Sequence, residues 1–149
     1  MSNPINIFFG TMTGNAESLA QGTYDKVTKA GGTAVLHNLA DFSADSLTEL
    51  FGTALFVVST WGDGEPPTDA EEFFVALSEK SLDLSQLSHA VFGLGDNNYE
   101  HFNAFAKNLS ARLQELGSPE LEAVFSADVV FEQDYADWEN RMLAKAGAA

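Results

Sequence analysis

The chain has 149 residues with a net charge of −15, from 22 acidic and 7 basic side chains, and 45% of it is hydrophobic. That length and apolar content fit one domain with a single core, and the acidity argues against nucleic acid or an anionic membrane as partner while favouring a positively charged one. It has no cysteine, which excludes disulfides, thiol chemistry and cysteine-held iron–sulfur clusters. Met1-Ser2-Asn3-Pro4 lacks the basic start and apolar run of a signal peptide, and no stretch reaches membrane-spanning length. The cytoplasm is the expected location.

Ile5-Asn6-Ile7-Phe8-Phe9 reads as a buried strand. Gly10-Thr11-Met12-Thr13-Gly14-Asn15-Ala16-Glu17 follows, and Ala16, Leu19, Ala20, Thr23, Tyr24 and Val27 then recur at the spacing of one helix face. This strand-to-helix turn offers what a phosphate needs. The first helical N–H groups lack intrahelical partners, and the helix dipole favours an anion there. Thr11, Thr13 and Asn15 add side-chain donors, and Gly14 lets the backbone come close. The alternative is an ordinary capped helix, because Ser, Thr and Asn are common caps. Neither the lysine-bearing triphosphate loop nor the G-x-G-x-x-G dinucleotide turn occurs.

The first helix is expected over residues 16–30, stopped by Gly31-Gly32. Thr33-Ala34-Val35-Leu36 is a second, weaker strand, and residues 41–50 form a connector with a short helix. Ala54-Leu55-Phe56-Val57-Val58-Ser59 has the continuous apolar character of a central parallel strand. A loop over 60–67 leads to a helix opened by the capping-box spacing of Thr68 and Glu71, with Phe73, Phe74 and Leu77 in it. Ala90-Val91-Phe92-Gly93-Leu94 is the next buried strand, followed by a loop. A helix then places Phe102, Phe105, Ala106, Leu109, Leu113 and Leu116 on one face, closed by Gly117. Residues 122–125 read as a last short strand, and a final helix from about Asp134 turns Tyr135, Trp138 and Met142 inward.

Strands alternating with helices imply a parallel sheet covered on both faces, with right-handed crossovers. Ligands of such sheets lie beyond the carboxyl ends of the strands, at the switch in strand order. Three loops should open on that edge. The second is Ser59-Thr60-Trp61-Gly62-Asp63-Gly64-Glu65-Pro66-Pro67; the third is Gly93-Leu94-Gly95-Asp96-Asn97-Asn98-Tyr99-Glu100-His101-Phe102-Asn103. Trp61 and Tyr99 could each anchor a partner protein. Facing one another across a cleft that also holds a phosphate turn, they instead suit a flat, phosphorylated ligand. His37, His89 and His101 share no metal-ligand spacing.

With these motifs the chain resembles the flavodoxin-like FMN-binding domains, in particular those of the NADPH-dependent diflavin reductases, including the sulfite reductase flavoprotein. The likeness rests on Thr11-Met12-Thr13-Gly14-Asn15-Ala16-Glu17, on the Ser59 to Pro67 motif, on Phe92-Gly93-Leu94-Gly95 with Tyr99-Glu100-His101-Phe102-Asn103, and on Ala127-Asp128-Val129 before Trp138. It implies an α/β three-layer sandwich, a five-stranded parallel sheet of order 2-1-3-4-5. It also implies non-covalent FMN. Thr11, Met12, Thr13, Gly14, Asn15 and Ala16 would hold the phosphate. Trp61 and Tyr99 would flank the ring, with Tyr99 as the coplanar stack. Ser59, Thr60, Gly62, Asp63, Gly64, Leu94, Gly95, Asp96, Phe102 and Asn103 would line the ring site. Asp128 would approach the ribityl chain or the dimethylbenzene side. Trp61 stands where the diflavin enzymes often have Tyr, and Asp96 where Asn often stands, so ring tilt and potential are open.

With no NADPH- or FAD-binding module after it, the chain is expected to be a free-standing short flavodoxin. It would be a monomeric carrier of single electrons, without catalytic residues. Its partners would be a basic-faced NADPH-dependent flavoprotein reductase as donor and an acceptor enzyme. The alternative is a self-contained FMN-dependent quinone reductase. A signalling receiver domain would need clustered acids where Gly10-Thr11 and Ser59-Thr60 stand.

Overall fold

The computed structural model describes residues 4–10, 15–39, 41–59, 68–79, 81–94, 104–127 and 132–145. The strands are β1 (Ile5–Gly10), β2 (Ala34–Asn38), β3 (Gly52–Ser59), β4 (Leu87–Leu94) and β5 (Phe125–Ala127). The helices are α1 (Asn15–Lys29), α2 (Thr68–Glu79), α3 (Ala104–Glu115) and α4 (Glu132–Lys145), with a 3-10 turn over Ala44–Glu49. All five strands are parallel, in the order β2-β1-β3-β4-β5.

Side chains alternate across each strand, and this divides the core in two. Phe8, Ala54, Phe56, Val58 and Val91 face one side and pack with Phe73 and Leu77 of α2 and with Ala106, Leu109 and Leu113 of α3. Ile5, Ile7, Phe9, Leu55, Val57 and Phe92 face the other and meet Ala16, Ala20 and Val27 of α1 and Tyr135, Trp138 and Met142 of α4. The result is the expected three-layer sandwich. Central strands covered on both faces are apolar at most positions, which is why they were near-continuous runs in the sequence; Asn6, Thr53 and His89 are the buried polar residues of β1, β3 and β4 among the described residues. A polar seam ties α4 to α1: the Tyr135 hydroxyl donates to Thr23 Oγ1 at 2.5 Å, Thr23 donates to Glu139, and Lys26 Nζ donates to Asn140 at 2.7 Å. Among the described residues no helix is long and apolar enough to cross a membrane.

Both predicted glycine stops act as such. Gly31 and Gly117 take φ of 87° and 98°. Each is followed by an N–H that reaches back five residues, Gly32 to the Val27 carbonyl and Ser118 to the Leu113 carbonyl. A Cβ at Gly117 would meet nothing nearer than 3.6 Å, so only the backbone conformation opposes a side chain there. Gly117→Ala should lower the unfolding free energy by about 1–2 kcal/mol. An unchanged urea midpoint would mean that the turn relaxes without cost.

The boundaries differ in informative ways. β2 runs on to His37 and Asn38, which pair with Phe8 and Phe9; polar residues at an edge strand hid its end. The last strand is Phe125–Ala127, not 122–125. Its pairing with β4 starts at Phe92↔Phe125, and those rings stack at 5.3 Å. Glu122 instead forms an ion pair with Arg141 at 2.9 Å. The predicted face of α3 holds from Ala106 to Leu116. Phe102 lies outside the described residues, as do the side chains of Phe105, Thr68 and Glu71.

Candidate functional site

Strand register places the site. Gly10 ends β1 opposite Val58, one residue short of the end of β3. Ser59, Leu94 and Ala127 are level across β3, β4 and β5. Four carboxyl ends therefore finish together, and the connections over 11–14, 60–67, 95–103 and 128–131 leave from one edge. β1 is flanked by β2 on one side and β3 on the other, so the chain reverses its direction of growth at the β1/β3 boundary. That is the crevice where ligands of open parallel sheets bind.

The first helix begins at that crevice. α1 starts at Asn15, five positions after the end of β1. Ala16 and Ala20 are fully buried in the cluster that contains Ile7 and Val57. Two methyl-sized side chains let the start of α1 sit close against the sheet. Its first-turn N–H groups and the positive end of its dipole are presented at the edge. Such an end suits a phosphate held by hydrogen bonds.

The basic residues gather at one edge, whereas acidic residues lie at both, with Glu79 and Glu115 closing α2 and α3. Helices run against the strands, so helix C-termini lie at the opposite edge. Lys26 and Lys29 close α1, Arg112 closes α3 and Lys145 closes α4. Arg141 is bound to Glu122, and its hydrogen bonds hold that carboxyl below its usual range. Lys80 follows α2 in sequence, and among the described basic residues only Lys107 falls in a first helical turn. By contrast, Glu17, Glu132 and Asp134 sit in first turns. Asp63, Glu65, Asp96, Glu100 and Asp128 belong to the connections at the strand ends.

Of the predicted site residues, Asn15 opens α1, Ala16 lies beneath its first turn, and Ser59 and Leu94 end β3 and β4. Thr11, Met12, Thr13, Gly14, Thr60, Trp61, Gly62, Asp63, Gly64, Gly95, Asp96, Tyr99, Phe102, Asn103 and Asp128 lie outside the described residues. The structure adds a cleft that the sequence did not signal. It measures about 370 Å³ and is lined by Phe9, Leu36, His37, Asn38, Asp41 and Phe42, beside the ends of β1 and β2. The His37 ring stacks on Phe8 at 4.7 Å, and its Nε2 lies 3.1 Å from Asn6 Oδ1. Burial lowers its pKa. His89 lies in β4 on the other half of the sheet, so these two histidines belong to separate sites.

Known proteins carry the same pattern. A sequence model of the family described as Flavodoxin matches residues 7–138. The rabbit (Oryctolagus cuniculus) NADPH–cytochrome P450 reductase is 34% identical over 145 residues, covering 92% of this chain and 21% of that protein. The Sulfite reductase [NADPH] flavoprotein alpha-component of Blochmanniella floridana is 31% identical, covering 97% of this chain and 24% of that protein. The chain thus spans about a fifth to a quarter of the length of these relatives. A solved structure, that of a mutant of Flavodoxin from Pseudomonas aeruginosa, superposes with a TM-score of 0.82 at 26% identity, covering 97% of this chain and 99% of that one. With a family match over most of its length and this sheet order, the chain belongs to the flavodoxin family.

Proposed function

We propose that this protein is a flavodoxin-type electron carrier of the cytoplasm, acting as a monomer. It binds FMN non-covalently and passes electrons singly from an NADPH-dependent flavoprotein reductase to an acceptor enzyme. The observation that carries this reading is the level strand edge, with the start of α1 at the β1/β3 switch point. The names of the relatives, an NADPH–cytochrome P450 reductase and an NADPH sulfite reductase flavoprotein, support the kind of partner.

In this reading the first-turn N–H groups of α1, with Thr11, Met12, Thr13, Gly14 and Asn15, hold the phosphate without a cation. Trp61 and Tyr99 cover the two faces of the ring and exclude water. Thr60, Gly62, Gly95 and Asn103 contact its edge through their backbone, and Asp128 lies toward the ribityl chain. Bound FMN supplies a ring that can accept and release electrons one at a time. The chain tunes this by charge. A carboxylate about 8 Å from the ring disfavours added negative charge by about 2 kcal/mol at an effective dielectric of 20. That is on the order of 90 mV for one electron, before solvent screening. Asp63, Glu65, Asp96, Glu100 and Asp128 would be the groups that do so, and they would also receive a basic partner.

Purified protein supplied with FMN should show flavin absorption bands and release FMN on denaturation; failure to take up FMN would end this reading. Reduction by a basic reductase, followed by stopped flow, should slow at least tenfold between 0.1 M and 1 M salt. Over that range the screening length shrinks from about 10 Å to about 3 Å. Neutralising Glu65, Asp96 and Glu100 together should reproduce part of the fall at low salt while FMN stays bound. A rate flat with salt would leave the charge as a solubilising coat. Steady NADPH–quinone turnover by the chain alone would replace the carrier with a quinone reductase.

A further inference from the structure

Among the described residues β2 is an edge strand, with β1 as its one ladder partner. The ladder begins with the Ile5 N–H on the Thr33 carbonyl and ends with the Leu39 N–H on the Phe9 carbonyl, both at 3.0 Å. In a parallel pair, alternate residues turn their main-chain groups toward a given neighbour. Val35 and His37 therefore face β1, while Ala34, Leu36 and Asn38 direct N–H and carbonyl away from the sheet. The Asn38 carbonyl accepts from the Asp41 N–H at 2.9 Å. The outward groups of Ala34 and Leu36 meet no partner among the described residues. Lysine, proline or a bulge commonly blunts such an edge. Residues 30–40 contain no Asp, Glu, Lys, Arg or Pro. The register with β1 runs unbroken from Ala34 to Asn38, and Val35 is 42% exposed.

The strand runs into the cleft of about 370 Å³ whose lining includes Leu36, His37, Asp41 and Phe42. The cleft offers acceptors and rings. The His37 Nε2–H donates to Asn6 Oδ1, which leaves Nδ1 as the acceptor of that ring. Burial lowers the His37 pKa, so the imidazole is neutral at pH 7 and the Asp41 carboxylate is the formal charge of the cleft. Asp41 is exposed, and among the described residues no cation pairs with it. Phe42 lies edge-on to His37, with 4.8 Å between ring centroids. A guanidinium answers all of this at once: it is a permanent cation, it carries donors only, and its plane stacks on aromatic rings.

We propose that the β2 edge and this cleft form one docking surface for an extended, arginine-bearing segment of a partner protein, which adds a strand beside β2 and sets its guanidinium against Asp41, His37 and Phe42. The free main-chain groups of Ala34 and Leu36 supply affinity, and the cleft selects the side chain. The net charge of −15 opposes a second copy of this chain in the same place and favours a cationic segment. None of these groups belongs to the proposed flavin site, so docking here stands independently of that reading.

The probe is the peptide acetyl-Arg-Thr-Val-Thr-Val-Thr-Arg-amide, which presents an arginine to the cleft in either strand direction. Added at millimolar concentration to the full chain, with or without FMN, it should move the Ala34 and Leu36 amide resonances and slow their hydrogen exchange. It should also shift the ring signals of His37 and Phe42. Replacing both arginines by citrulline keeps the shape and removes the charge, and should weaken binding roughly three- to fivefold. Asp41→Asn should weaken the arginine peptide by a similar factor and leave the citrulline peptide unchanged. Ala34→Pro removes an outward donor and no ladder bond, and should weaken both peptides. Resonances that do not move, or equal affinity for the arginine and citrulline peptides, would overturn the proposal. So would a dimer of the free chain in sedimentation with the Ala34 and Leu36 amides already protected, because a second copy would then occupy the edge. Should Ala34→Pro fail to fold, exchange of the two wild-type amides with and without peptide decides the pairing.

Discussion

Trp138→Ala should lower the unfolding free energy by about 3–5 kcal/mol, the range for emptying a buried aromatic site. Trp138 is fully buried on α4, with Phe92 at 5.3 Å and Tyr135 at 5.6 Å between ring centroids. It shares a cluster with Ile7, Leu55 and Val57 of the central strands. No smaller neighbour can fill the space, because β1 and β3 are fixed by their own ladders. A domain is typically stable by about 5–15 kcal/mol, so the variant should sit near the edge of folding at 37 °C. Among the described residues the indole Nε1 meets no hydrogen-bond partner. Trp138→Phe therefore removes an unsatisfied donor along with some volume, and should lose far less than the alanine variant. Chemical denaturation of both would test this. A loss under 1 kcal/mol for Trp138→Ala would mean that α4 does not cover the sheet as described.

The second large effect concerns the proposed phosphate turn. Thr13→Ala and Asn15→Ala should each weaken FMN binding by about 1.5–3 kcal/mol, the worth of a hydrogen bond to a charged group. That is roughly a 10- to 150-fold rise in Kd. Folding should change much less, since Asn15 is the first residue of α1 and an alanine there keeps the helix's own hydrogen bonds. Riboflavin, which lacks the phosphate, should bind wild type and variants alike. Fluorescence titration with both flavins makes the comparison. Unchanged FMN affinity in both variants would remove the phosphate from this turn, and equal weakening for riboflavin would assign the two side chains to the ring or to local stability.

The fold was legible wherever burial is symmetric. β1, β3 and β4 appear as apolar runs because helices cover both faces, and no knowledge of the partner is needed to see that. Gly31 and Gly117 were legible because the end of a helix needs a left-handed residue whatever surrounds it. The motifs proposed for the site stood in chain order, and alternation of strand and helix was enough to expect the strand ends that carry them at one edge, where the described strands do end. Tertiary structure decided what depends on pairing between distant segments. The end of β2 at Asn38 and the start of β5 at Phe125 are set by ladders with β1 and β4, and neither segment carries that information locally. Register made the strand ends level, which turns three loops into one edge. The hydrogen-bonded cluster around His89 gathers β4, α3 and the turn at Ser118 and Glu120. In sequence it is only a histidine, two serines and a glutamate, because hydrogen-bond demand is created by burial, and burial exists only once the chain has folded.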